Sequence, residues 1–248
     1  MHYDASQSVT IVIPLPLNAV ERRFMSAQKT SQKNVRSKIL HGASRLFLSV
    51  GYSKASIIKI AEESGVNRGS VCFFFKDKES IVCELVSYVL EFQFEEINKL
   101  LEGKTEDKIL IYAAETTLQL HLAESSEHMR EMYNVAYSMS QSSNVIYHTI
   151  TKKLEEIFRE TLPDWKTKNF YEREISSAGI MRNQMSVPCD IYYTMERKVR
   201  EFLEATLLVY RVPEAKIQEA ITFVGQFDWK QIAESVLTRM PAYLESKT

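Results

Sequence analysis

The stretch Ser56–Ser80, SIIKIAEESGVNRGSVCFFFKDKES, decides the fold. Ser56 stands where a helix N-cap belongs, ahead of Ile57, Ile60, Ala61 and Ser64 at helical spacing, and Gly65 is placed to end that helix. Asn67 can cap the next helix, which the spacing extends from Arg68 to Phe75 with Val71, Phe74 and Phe75 turned inward. Upstream, Val35, Ile39, Ala43, Leu46, Phe47 and Val50 form one apolar stripe from Lys33 onward, and Gly51 is its natural stop. A longer helix followed by two short ones joined by a tight turn is therefore expected here.

The rest of the 248-residue chain also reads as helix. No proline occurs between Pro16 and Pro163, too long an interval for a protein of frequent β-turns. After Lys76–Ser80, the residues Ile81, Leu85, Val89, Phe92, Ile97 and Leu101 carry an apolar stripe to Gly103, a helix of about 23 residues and ~35 Å, long enough to join two bodies. Further helices are expected near 106–124, 127–139, 143–161, 168–186, 190–211, 214–225 and 228–242, with Pro163, Pro188, Pro213 and Pro241 at or near the gaps. The segment 106–124 is apolar around its whole circumference, the mark of a central, buried helix. The fold class is thus all-α, with an arm at 1–30 expected to be disordered, a three-helix domain at 31–80, and a larger helical domain at 81–248.

Charge separates the two domains. Residues 31–80 hold nine basic and four acidic side chains, whereas residues 81–248 hold 19 basic and 26 acidic, although the whole chain is close to neutral at −1. A basic head on an acidic body points to a polyanion held at one end only. Three helices with a tight turn before the last follow the helix-turn-helix plan, in which the last helix enters the DNA major groove by its N-terminal residues. Asn67, Arg68 and Ser70 stand at that leading end to meet base edges, an arginine being able to pair bidentately with guanine, and Gly69 leaves room for close approach. Lys59, Lys76, Lys78 and the helix start capped by Ser56 are placed for phosphates. Phe73 and Phe74 are divided between packing and contact with a thymine methyl.

Other chemistries find little support. Cys72, Cys83 and Cys189 form no C-x-x-C pair and suit free thiols in a reducing cytoplasm, and His121 and His128 lack companions of metal-ligand spacing, so no metal and no cofactor is expected. The six aspartates are scattered, and neither a phosphate loop nor a G-x-S-x-G elbow occurs, which argues against an enzyme. The one early apolar run, Val9–Leu17, is broken by two prolines and is neither a signal peptide nor a membrane span.

From Val35 to Val86, VRSKILHGASRLFLSVGYSKASIIKIAEESGVNRGSVCFFFKDKESIVCELV, the chain resembles the DNA-binding domain of the TetR family of transcriptional regulators. The matching elements are ILxxASxLFLxxGY, IxxIAEESGV and NRGSVxxxFKDKE, about 50 residues with their spacing intact. The resemblance implies an all-α homodimer on a palindromic operator, most often a repressor, whose variable C-terminal domain binds a small molecule that releases the DNA. It also implies dimerisation through the last long helices, here Ile191–Tyr210 and Trp229–Met240, with Met195, Val199, Phe202, Leu237 and Met240 as interface candidates. For the effector pocket, aromatic and methionine side chains supply the candidates Met132, Tyr133, Tyr137, Tyr147, Met181 and Met185. Cys72 departs from the family, which commonly has there a tyrosine whose hydroxyl touches a phosphate. That departure keeps open an alternative, a helical protein-interaction or nucleoid-associated module with weak or no operator specificity.

Overall fold

The computed structural model describes the backbone of residues 19–247 and the side chains of residues 31–247. Eleven helices and no strand occur among these residues: α1 (Ala19–Val50), α2 (Ile57–Glu63), α3 (Arg68–Phe74), α4 (Lys78–Leu101), α5 (Lys108–Glu124), α6 (Glu127–Ser138), α7 (Ser140–Phe158), α8 (Thr167–Ser186), α9 (Met195–Val209), α10 (Glu214–Val224) and α11 (Trp229–Lys247). Residues 1–18 of the expected arm lie outside the described residues. Helical backbone starts at Ala19, well before the apolar stripe that begins near Lys33.

The head, α1 to α3, is held by local signals. The Ser56 hydroxyl accepts from Lys59 N at 3.2 Å, and Asn67 Oδ1 accepts from Ser70 N at 2.8 Å. Between these caps Gly65 adopts φ +64, which lets Val66 N bond back to Ala61 O at 3.0 Å and turns the chain. Ile39, Leu40, Phe47, Ile60, Val71, Phe75 and Ile81 close the head's core at 3% exposure or less. Arg36 pairs with Glu84 at 2.6 Å and lies over the Phe75 ring at 5.5 Å, tying α1 and α4 to the end of α3.

Helix α4 starts with a reciprocal Asp77/Ser80 capping box and carries the chain from head to body. There it packs on α5, α7 and α11, while α5 lies at the centre, twelve of its seventeen residues buried, as its all-round apolar sequence requires.

Two expectations are corrected. Pro241 lies inside α11, which runs on to Lys247 instead of stopping. The missing amide costs Leu237 O its partner, but the extra turns bury Leu244, set Tyr243 against Phe92 with ring centres 4.5 Å apart, and bring Lys247 to Glu91 at 2.8 Å. Helix α9 begins at Met195 and not at 190, because Asp190 Oδ1 accepts from Tyr192 N and Tyr193 N at 2.8 and 2.7 Å and holds a turn there.

Candidate functional site

Helix α3 has two faces. Val71 is fully buried, with Phe75 just beyond the helix end, whereas Arg68, Gly69, Cys72 and Phe73 are exposed, Phe73 to 73%. Phe73 therefore leaves the core, and its ring meets the half-buried Phe74 edge-on at 5.0 Å. A shallow depression between α3 and the early part of α1 is lined by Ser31, Gln32 and Val35 together with Asn67, Gly69, Ser70, Phe73 and Phe74. Asn67 Oδ1 is occupied by both the amide and the hydroxyl of Ser70, so these two residues first of all build the helix start. At Gly69 a side-chain carbon would stand 3.1 Å from that same Oδ1, so the glycine makes room for the cap as well as for any partner.

The lysines divide. Lys76 is exposed with no partner among the described residues, and Lys59 is exposed and reaches Lys54 O at 3.2 Å. Lys78, expected at a phosphate, turns inward: its ammonium donates to Tyr52 O at 2.7 Å and Ala55 O at 2.9 Å and lies 3.7 Å from the centre of the Tyr52 ring. Burial lowers its pKa, with Glu131 nearby acting in the opposite direction.

Glu131 of α6 completes the same loop from the other side. Its carboxylate accepts from Tyr52 N at 3.0 Å, from Ser53 N at 2.9 Å, and from the Ser53 hydroxyl. Burial works to raise its pKa, but the bonds from Ser53 and Tyr52 prevail and hold the carboxyl below its ordinary value. Gly51, at φ +84, lacks the side-chain carbon that would collide with this carboxylate. Beside it, His128 Nδ1 lies 3.0 Å from Leu48 O. The loop between α1 and α2 thus gives its carbonyls to a cation from α4 and its amides to an anion from α6.

The opposite side of α6 faces a cavity of about 110 Å³, walled by Phe47, Val82, Leu85, Val89, Met129, Met132, Tyr133, Tyr137, Leu237, Met240 and Pro241, with Ser44, Gln93 and Gln119 among its polar members. A second, smaller cavity of about 30 Å³ is walled by Phe94, Tyr112, Glu115, Tyr137, Glu174, Ser177, Met181 and Phe202, and Gln119 and Tyr137 line both. Of the sequence candidates, Met132, Tyr133 and Tyr137 line the first cavity and Met181 the second. Tyr147 instead packs edge-on against Tyr171 at 6.4 Å, and Met185 is buried away from both cavities.

The polar groups of this wall were not singled out from sequence. Gln93 Nε2 donates to the Tyr133 hydroxyl at 2.6 Å, while its buried Oε1 has no partner. Tyr137 donates to Gln119 Oε1 at 3.0 Å, and Gln119 Nε2 donates to Glu115 at 2.5 Å. Ser177 donates to Glu174 at 2.8 Å and lies 2.7 Å from the Tyr210 hydroxyl. Burial pushes the Glu115 carboxyl up to about 7 against the pull of the Gln119 amide. Burial, with the Glu115 charge adding to it, pushes Glu174 up to about 8. A polar run at Glu115, Thr116, Thr117 and Gln119 within the apolar α5 was the available signal.

The interface candidates fall mostly inside the chain: Val199, Phe202 and Met240 are buried, Met195 is partly covered, and Leu237 lines the first cavity. The exposed apolar side chains of this region are Ile175 on α8, Leu208 on α9, and Val187, Ile191 and Tyr192 between them. Among the described residues no group of three or more His, Cys, Asp or Glu is placed to hold a metal, and no helix is long and apolar enough to cross a membrane.

Comparison with known proteins adds three findings. Residues 39–85 match the family model for bacterial regulatory proteins of the tetR family. The chain is 27% identical over 161 residues to the uncharacterised HTH-type transcriptional regulator YxaF of Bacillus subtilis (strain 168), covering 63% of this chain and 83% of that one. It is 25% identical over 187 residues to the HTH-type transcriptional regulator HbdR of Aromatoleum sp. (strain CIB), covering 73% and 69%. Among solved structures, the complex of RolR with resorcinol superposes with a TM-score of 0.61 at 12% identity, over 80% of this chain and 97% of that one, and shares the fold.

Proposed function

The chain belongs to the TetR family and is a DNA-binding transcriptional regulator, and from that premise we propose that it is a homodimeric repressor, released from a palindromic operator when a small molecule fills the cavity beneath α6. The carrying observation is that one helix serves both ends. Glu131 on α6 holds the α1–α2 loop of the head and His128 meets the last turn of α1 at Leu48 O, while Met132, Tyr133 and Tyr137 on the same helix line the cavity. A ligand that shifts α6 acts on the head through bonds already in place.

At the operator, Arg68 reads a base edge from the first turn of α3, Phe73 and the small Gly69 meet the groove beside it, and Lys76 and Lys59 hold phosphates. Ser56, Asn67 and Ser70 act mainly through the helix starts that they cap. Cys72 shares the exposed face with Arg68 and Phe73 and contributes surface without a long-reaching hydroxyl. Two copies join through α8 and α9 by way of Ile175 and Leu208, and the protein works on DNA in the cytoplasm.

A mobility-shift titration on the DNA upstream of its own gene tests this reading. A footprint with two-fold symmetry is the expected result, and binding indifferent to sequence at all salt concentrations would return the argument to a nucleoid-associated role. Leu208→Arg is expected to turn the dimer into monomers in light scattering and to abolish the footprint.

A further inference from the structure

The two adjoining cavities carry a chemical preference. Glu115 and Glu174 are 3% and 4% exposed, come from different helices, and both line the smaller cavity. Neither makes an ion pair with a described residue, and no basic side chain figures among the groups that act on either carboxyl. Lys153, the one basic residue in that wall, directs its ammonium to Glu156 at 3.3 Å and lies over the Phe94 ring at 5.5 Å, with its side chain 45% exposed. Burying a carboxyl without a counter-charge is costly. A wall that keeps two of them has room for a counter-charge from outside the chain.

A second observation comes from the larger cavity. Gln93 is fully buried and its Oε1 is an acceptor without a donor, in a wall that is mostly apolar. The Tyr133 hydroxyl that takes the Gln93 amide also feels the charge of Glu115, so the orphan acceptor and that carboxyl belong to one neighbourhood. The rings of Phe94, Tyr112, Tyr137 and Phe202 surround the carboxyls, and aromatic faces attract positive charge.

We propose that the effector is a small organic cation, with an apolar body about the size of one aromatic ring in the larger cavity and a protonated amine directed past Gln119 and Tyr137 toward Glu115 and Glu174. The inference rests on reading these cavities as the effector site. Size follows from the volume of about 110 Å³, comparable to cavities that take a benzene-sized guest. Charge follows from the carboxyls: an ammonium brings both the missing counter-charge and three N–H donors to the wall that holds Glu115 and Glu174. A neutral alcohol offers one donor and leaves the carboxyls as they stand. An anion would meet two carboxyls and no basic group free to neutralise it.

Calorimetric titration of the full chain with 2-phenylethylamine, 2-phenylethanol and 3-phenylpropanoate, three probes of similar size, tests the assignment. The amine is expected to bind at least about tenfold more tightly than the alcohol, and the carboxylate not measurably. Glu115→Gln and Glu174→Gln, which keep the shape of the wall, are expected to bring the amine to within about threefold of the alcohol. Equal binding of amine and alcohol by the native chain overturns the cationic assignment and leaves the effector site standing. Binding of none of the three by a chain that still shifts its DNA overturns both. If a glutamine variant fails to fold, the ratio of amine to alcohol for the native chain decides alone.

Discussion

Head and body are both helical, but the polarity buried around the body's two cavities is partnered differently from that of the head. In the head, the one partly buried cation, Lys78, has two carbonyls and a ring face as partners, and the buried Ser64 hydroxyl donates to Ile60 O at 2.6 Å. In the body, Glu115 and Glu174 are buried without counter-ions and Gln93 Oε1 without a donor. The head is finished as it stands, with Arg68 and Phe73 exposed on a framework whose polar groups are already partnered. The body has unspent interaction energy lining a void, the condition under which a ligand has something to gain.

Substitutions in the two regions should therefore differ in kind. The largest effect is expected from Phe75→Ala, which empties the junction of α1, α3 and α4: a loss of about 3–5 kcal/mol in denaturant unfolding, with DNA binding lost. A loss under about 1 kcal/mol would mean that the head is less tightly packed than described.

In the body the corresponding change has the opposite sign. The folded-state pKa values of Glu115 and Glu174 are raised, to about 7 and about 8, above an ordinary value of 4.5. Folding then takes up protons, so the stability these groups contribute is full below about pH 4.5 and is lost as pH rises through 7 to 8. Replacing either by glutamine should be close to neutral at pH 5 and stabilising at pH 8.5, on the order of 3 kcal/mol. Melting curves at the two pH values check this, and a destabilising effect at pH 8.5 would show that the ionised carboxyls hold the body together.

Smaller effects separate the roles on the DNA side. Arg68→Ala is expected to cost about 1–3 kcal/mol on the operator and to narrow the gap between operator and random DNA. Lys78→Met should lower stability by about 1–2 kcal/mol through the freed loop carbonyls and leave the salt dependence of binding unchanged. Lys76→Ala should do the reverse, with stability unaltered and the salt slope reduced by about 0.9. A changed salt slope in the Lys78 variant would return that side chain to the phosphates.

These contrasts follow what was legible in the sequence. The helix-turn-helix could be read nearly to the residue because its signals are local: Ser56 and Asn67 act three residues away, and Gly65 marks a turn only glycine makes easily. Lys78 reads as a phosphate contact in the sequence because the carbonyls it turns to lie 23 and 26 residues upstream, beyond any local pattern. Pro241 was read as a stop because a helix-interior proline is normally excluded, and only packing against α4 makes it tolerable. Softness and aromaticity are visible in the sequence, and Met132, Tyr133, Tyr137 and Met181, which have them, line the two cavities. The carboxyls escaped notice because Glu115 and Glu174 meet only after α5 and α8 have packed together.

The Glu131 carboxylate also limits how this protein can be recombined. A chimera that sets a foreign head on this body needs a glycine at position 51, where a side chain would strike that carboxylate, and free amides at 52 and 53 to meet it. A foreign body under this head must in turn present an acid where α6 does. Two heads alike in every residue of α3 are therefore not interchangeable, because exchange depends on the loop that Glu131 holds.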